Sequence, residues 1–129
     1  MIVDTSAVLA ILFKEPDARL YAEAIAGADS CRISAANFLE AGITIDSQAG
    51  AAAGRQLDVL IQQAGITIES VSVEQVQLAR QAYLDFGRGR HPARLNYGDT
   101  FAYALAKVSG EPLLFKGNDF SQTDIEAAL

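Results

Sequence analysis

Hydrophobic positions along this chain switch repeatedly between short continuous runs and three-to-four-residue spacing, the pattern of strands alternating with helices. Met1 to Asp4 is a short apolar strand that ends in a polar turn. Ser6 to Phe13 is too continuously apolar for an exposed helix and predicts a buried one. Pro16 and Asp17 open a second helix, with Leu20, Tyr21, Ala24, Ile25 and Ala28 at helical spacing, and Gly27 and Asp29 end it. Cys31 to Ser34 reads as a strand. A helix follows over 35–48, carrying Phe38, Leu39, Gly42 and Ile43, and another over 51–64, where Leu57, Leu60, Ile61 and Ala64 form a stripe stopped by Gly65. Ile66 to Val71 alternates like a strand, and Val73, Val76, Ala79, Tyr83 and Phe86 then recur at helical spacing until Gly87. A helix over 98–109, with Phe101, Ala102, Leu105 and Ala106 inward, is stopped by Gly110. Pro112 to Phe115 is the last clear strand, and the tail from Ser121 carries no decisive pattern.

Strands separated by long helices call for crossover connections, so the fold class expected is α/β, a three-layer sandwich with a mainly parallel central sheet. The 129 residues suit a single domain spanning 1–129, and usage is ordinary for a globular protein, half hydrophobic and a fifth charged. The longest apolar stretch falls far short of the roughly 18 to 20 residues needed to cross a bilayer, so no membrane role is expected. No basic leader precedes it, and the one cysteine, Cys31, reads as a small buried hydrophobe, so the expected compartment is the reducing cytoplasm. A net charge of −6 argues against general attraction to nucleic acid, leaving a local basic patch or bound cations as the means of meeting a polyanion.

Four acids stand where the pattern least expects charge: Asp4 after the first strand, Glu40 inside an apolar helical run, Asp99 at the mouth of another helix, and Asp119 past the last strand. Carboxyl ends of parallel strands share one edge, so acids placed there can converge from distant parts of the chain. Each has a plainer reading. Asp4 and Asp99 suit helix caps, and Asp119 suits an Asx-turn after Gly117 and Asn118. Glu40, among Phe38, Leu39, Ala41, Gly42 and Ile43, is harder to explain, because an unpaired buried carboxylate is costly unless the helix turns it toward solvent. Clustered carboxylates hold protons unless positive charge lies among them, and oxygen-only ligands suit hard cations such as Mg²⁺ or Mn²⁺. The matching chemistry is phosphodiester hydrolysis, with one or two ions. A lone histidine excludes chemistry by a His pair within one subunit.

Around these acids, Thr5 and Ser6 can hydrogen-bond neighbouring carboxylates, and Asn96 can fix the turn that presents Asp99. Arg88, Arg90 and Arg94, with His91 between them, form a loop free of acids that would serve as a phosphate guide. His91 fits a loop or phosphate contact better than a catalytic base.

In order along the chain, Met1-Ile-Val-Asp-Thr-Ser-Ala7, Ser34-Ala-Ala-Asn-Phe-Leu-Glu40, Gly89-Arg-His91 leading to Leu95-Asn-Tyr-Gly-Asp99, and Pro112-Leu-Leu-Phe-Lys-Gly-Asn-Asp-Phe120 resemble the motifs of the PIN-domain family, and most closely its VapC toxins. The resemblance implies an acidic quartet of Asp4, Glu40, Asp99 and Asp119 that binds Mg²⁺ or Mn²⁺, with Thr5 or Ser6 as an auxiliary polar group. It also implies ribonuclease activity on structured RNA such as tRNA or rRNA, homodimerisation, and inhibition by a VapB-like antitoxin whose tail covers the active groove. Some relatives carry a further acid two positions before the Asp119 equivalent, where this chain has Gly117, so Asp119 is the least secure of the four, with Asp124 a distant substitute.

Two other classes compete. A non-catalytic RNA-binding or regulatory module would keep the fold and basic loop but show binding without cleavage. A phosphoacceptor domain would use Asp4 and Lys116, but it lacks the paired acid after the first strand and a second Asp at position 6, where Ser6 stands.

Overall fold

The computed structural model describes residues 1–129. Strand β1 (Ile2–Val3) leads into α1 (Thr5–Leu12) and α2 (Ala18–Gly27). There follow β2 (Cys31–Ser34), the long α3 (Ala35–Gln63), β3 (Ile66–Glu69), α4 (Val73–Phe86), α5 (Tyr97–Ser109) and β4 (Leu113–Leu114). The sheet order is β3-β2-β1-β4 and every pairing is parallel.

The sheet splits the interior into two cores because successive residues of a strand face opposite sides. Val3, Ile33 and Leu114 enter one core with Ala7, Val8, Tyr21, Ile25, Ala41, Leu57 and Ile61 from α1, α2 and α3. Ile2 and Leu113 enter the other, with Ala82 of α4 and Ala102, Tyr103, Leu105 and Ala106 of α5. Helices therefore cover both faces, which is the expected three-layer arrangement. Cys31 is buried in the first core, its thiol directed at the Ile25 carbonyl.

The two helices expected over 35–48 and 51–64 form a continuous assignment that is broken at Gly50, where φ is 85° and ψ 173°. The break is a reversal rather than a gentle bend. Gly42 packs against the Leu57 side chain, although 15 residues of straight helix would separate them by about 22 Å. Only glycine adopts this backbone geometry readily.

Several expected stripes needed rotating. Leu39 and Ile43 are 61% and 58% exposed, and the buried row of α3 is Asn37, Ala41 and Ile45. In α4 the inward residues are Gln75, Ala79 and Ala82, while Val73, Val76 and Tyr83 lie outward. The tail, without pattern in sequence, forms a 3₁₀ turn over Phe120–Gln122 and then lies along β4, where the Leu113 N–H donates to Glu126 O and the Ala128 N–H to Leu113 O, both at 2.9 Å.

The chain builds β1, β2 and β3 outward in one direction, then returns to place β4 on the other side of β1. The carboxyl ends of β1 and β4 thus flank the point where strand order reverses, the position at which open parallel sheets leave a crevice. Gly50→Ala should destabilise the fold by about 1–3 kcal/mol through its forced backbone geometry. The midpoint of denaturant unfolding checks this.

Candidate active site

Asp4 ends β1 and caps α1. Its Oδ2 accepts the Ser6 N–H at 3.0 Å and the Ser6 hydroxyl at 2.6 Å. The capping expectation is therefore met, but only one oxygen is used. Oδ1 is buried with no hydrogen-bond partner, on a residue 3% exposed. Such an atom is costly unless something outside the chain meets it.

Asp99 sits in a capping box with Asn96. The Asn96 side chain accepts the Asp99 N–H at 2.8 Å, and Asp99 Oδ2 accepts the Asn96 N–H at 3.0 Å. Glu40 projects from the first turns of α3 and is half-buried. Its carboxylate lies directly on Gly98, where a side chain would collide with it. Asp119 opens the 3₁₀ turn, makes no capping bond through its side chain and is exposed, so the Asx-turn reading is not carried by its side chain.

These four acids line one crevice of about 270 Å³ at the strand switch, together with Ser6, Asn96 and Lys116. They do not form a ready-made cation cage of three ligands. Burial chiefly, with repulsion from Glu40, pushes the Asp4 carboxyl up to about 6 against the lowering effect of its two bonds from Ser6. Burial chiefly, with repulsion from Asp4, Asp119 and Glu40, pushes Asp99 up to about 7 against the lowering effect of its bond from Asn96.

Lys116 is the one cation of the crevice lining, and it is engaged elsewhere. Its ammonium pairs with Glu15 and, at 3.0 Å, with Asp17. Its backbone N–H donates to Ser6 Oγ at 2.9 Å, so Ser6 is clamped between β4's end and Asp4. That engagement leaves Lys116 poorly suited to the phosphoacceptor reading. Thr5 is also committed, donating its hydroxyl to the Asn37 carbonyl at 3.1 Å, so of the two auxiliary candidates Ser6 is the one turned to the acids.

The basic loop lies beside the crevice rather than in it. Arg88, Arg90 and Arg94 are exposed and enter no ion pair. Arg88 lines a neighbouring groove of about 740 Å³ between α4 and α5, which meets the acidic crevice at Asn96. Arg90, His91 and Arg94 line neither. His91 holds the loop: its Nδ1 accepts the Ala93 N–H at 3.0 Å and its ring stands edge-on to Phe86 at 5.1 Å. Two residues that shape the crevice, Asn37 and Gly98, are not among the sequence-predicted site residues. The available signal was a polar residue four positions ahead of Ala41, in the row that faces inward.

Acids gathered at the switch point of a four-stranded parallel sheet, covered by helices on both faces, describe a compact class of domains. The PIN domain profile matches residues 1–126, and this chain belongs to the PIN-domain family. It is 55% identical over 130 residues to Ribonuclease VapC28 of Mycobacterium tuberculosis, covering 100% of this chain and 98% of that relative. It is 50% identical over 127 residues to Ribonuclease VapC of Mycolicibacterium smegmatis, covering 98% of each. Two solved structures share the fold at low identity. The crystal structure of Mycobacterium tuberculosis VapC20, described as a sarcin-ricin loop cleaving toxin, aligns with a TM-score of 0.77 at 18% identity over 96% of this chain and 95% of that one. A toxin–antitoxin complex from Klebsiella pneumoniae aligns at 0.73 and 14% identity, over 95% and 92%.

The raised carboxyls predict an unusual pH dependence for the metal-free protein. A carboxyl with a higher pKa folded than unfolded binds its proton more tightly in the native state. Its stabilisation is complete below about 4 and is lost as pH rises through about 6 for Asp4 and about 7 for Asp99. Asp17, lowered by Lys116, and Glu111, lowered by the Met1 ammonium and Arg32, have the opposite sign, with a window below their usual range. Between pH 5 and 8 the raised pair governs. The melting temperature in EDTA should therefore fall from pH 5 to pH 8, and Asp99→Asn should flatten that fall.

Proposed function

We propose that this chain is a divalent-metal-dependent endoribonuclease acting as the toxin of a type II toxin–antitoxin pair, with Asp4, Glu40, Asp99 and Asp119 as its acidic quartet. The observation that carries the reading is the unpartnered, buried Oδ1 of Asp4 in a crevice of acids whose one lysine is neutralised by other residues. An oxygen-only donor set of this charge fits Mg²⁺ or Mn²⁺. When bound, such an ion supplies charge neutralisation at the attacked phosphate and a lowered pKa for a water.

The chain's own residues do the rest. Asp4, Glu40 and Asp99 would hold the ion, with exposed Asp119 as the fourth acid of the crevice. Ser6 fixes the Asp4 carboxylate through its 2.6 Å bond. Asn96 holds Asp99 at the helix start while lying where crevice and groove meet, and Arg88 lies along that groove. With Arg90 and Arg94 exposed and unpaired nearby, and His91 setting the loop's shape, this side suits the phosphates of a structured RNA, tRNA or rRNA. Similarity to VapC ribonucleases supports the substrate class and control by a VapB-like antitoxin. No helix is long and apolar enough to cross a membrane, and we place the protein in the cytoplasm as a single PIN domain over 1–129.

Homodimerisation finds support in an apolar surface shared by α3 and α5. Leu39 and Ile43 lie exposed beside Phe101 and Tyr97, the latter 79% exposed. Apolar surface of this kind on a folded chain marks a contact with another protein. Ile43→Asp should shift the protein from dimer to monomer in light scattering behind size exclusion, and an unchanged mass would argue for a different dimer face.

Asp4→Asn or Asp99→Asn should reduce RNA cleavage by more than the ~10–100-fold that outer partners of a metal ligand cost, while circular dichroism stays that of the wild type. Full activity of the purified protein in excess EDTA would contradict the metal-dependent reading. Sequencing RNA ends after brief induction of the wild type and of Asp99→Asn reports the target and cut position together.

A further inference from the structure

We infer that Asn37 is a positioning residue that holds Glu40 in register with Asp4 and Asp99, with Gly98 as the surface on which the Glu40 carboxylate rests. The inference rests on reading the acidic crevice as a cation site.

Asn37 is completely buried, yet it touches all three elements that bear the inner acids. Its main-chain carbonyl accepts the Thr5 hydroxyl at 3.1 Å, one residue from Asp4. Its Nδ2 donates to the Gly98 carbonyl at 2.9 Å, one residue from Asp99, and reaches Glu40 Oε1 at 3.5 Å. The stronger arm is the bond to Gly98, which fixes α3 against the start of α5. The weaker arm sets where the carboxylate swings. Because Gly98 O can only accept, the amide nitrogen must face it, and Oδ1 is left buried without a partner. An apolar side chain in this core row would avoid that cost. The amide is accounted for by the two donor bonds, which no apolar side chain makes.

Gly98 supplies the second half of the device. A Cβ there would collide with Glu40 Oε2 and stand 2.7 Å from Oε1. Since the obstacle is the end of a flexible side chain, Gly98→Ala can fold, but only with the Glu40 carboxylate displaced. One substitution thus removes the hold on Glu40, and the other pushes Glu40 away with the hold intact.

Mn²⁺ titration calorimetry on the full chain, with thermal melting alongside, tests this. Asn37→Ala and Gly98→Ala should each weaken Mn²⁺ binding by about 10–100-fold, the usual cost of losing a ligand's outer partner. Neither should weaken it further when Glu40 is already Gln. A folded Asn37→Ala with a lower melting temperature but wild-type Mn²⁺ affinity overturns the inference, because a purely architectural role predicts that result. Should Asn37→Ala fail to fold, Gly98→Ala decides, and wild-type affinity there overturns it equally. A wild-type protein that takes up no Mn²⁺ at all would instead sink the cation site itself, and this inference with it.

Discussion

Negative charge at the carboxyl end of β1 sets the conditions that the rest of the site must meet. Asp4 is held there by its Leu114 pairing and by its cap on α1, with one oxygen shut away from water and from every donor. Glu40, Asp99 and Asp119 add like charge to the same crevice. A protein can answer such a cluster with a buried cation of its own, with protons, or with an ion from solution. Here the nearby lysine is spent on Glu15 and Asp17, so protons and a divalent ion are the alternatives, and they compete for the same oxygens. By contrast, the ammonium of Met1 and the Arg32 guanidinium meet the Glu111 carboxylate directly, and that part of the sheet needs nothing from outside.

In the proposed reading the same residues serve architecture and chemistry. Asp4 and Asp99 each satisfy free N–H groups at a helix start with one oxygen, and this is what aims the carboxylates. Capping and ligation are thus not rival explanations for these acids. A carboxylate has two oxygens, and the helix start uses one. Ser6 works in the same double way, taking an N–H from the end of β4 while giving its proton to Asp4.

Much of the fold was legible from periodicity. The strands at Cys31 and Ile66, the separation of the helices over 35–48 and 51–64 and the stop at Gly110 all lie where apolar spacing or a glycine placed them, while the reversal at Gly50 had no such signal. What failed was the direction of some helical faces. Leu39, Ile43, Val76 and Tyr83 fit a hydrophobic stripe, but the helices turn Asn37, Gln75 and small alanines inward instead. Helices packed closely on a sheet leave room for alanine, and bulky apolar residues are displaced outward.

The order of elements, the parallel sheet and the four acids that meet in one crevice could be read from the chain alone, because these depend on local spacing and on residues whose charge is out of place. Tertiary structure alone decided which oxygens are spent and which are spare, that Lys116 is unavailable, that Thr5 serves Asn37 rather than the acids, and that Glu40 rests on Gly98. Those facts arise from contacts between segments dozens of residues apart. No local pattern carries them, since hydrogen-bond partners are chosen only after the sheet has brought the strand ends together.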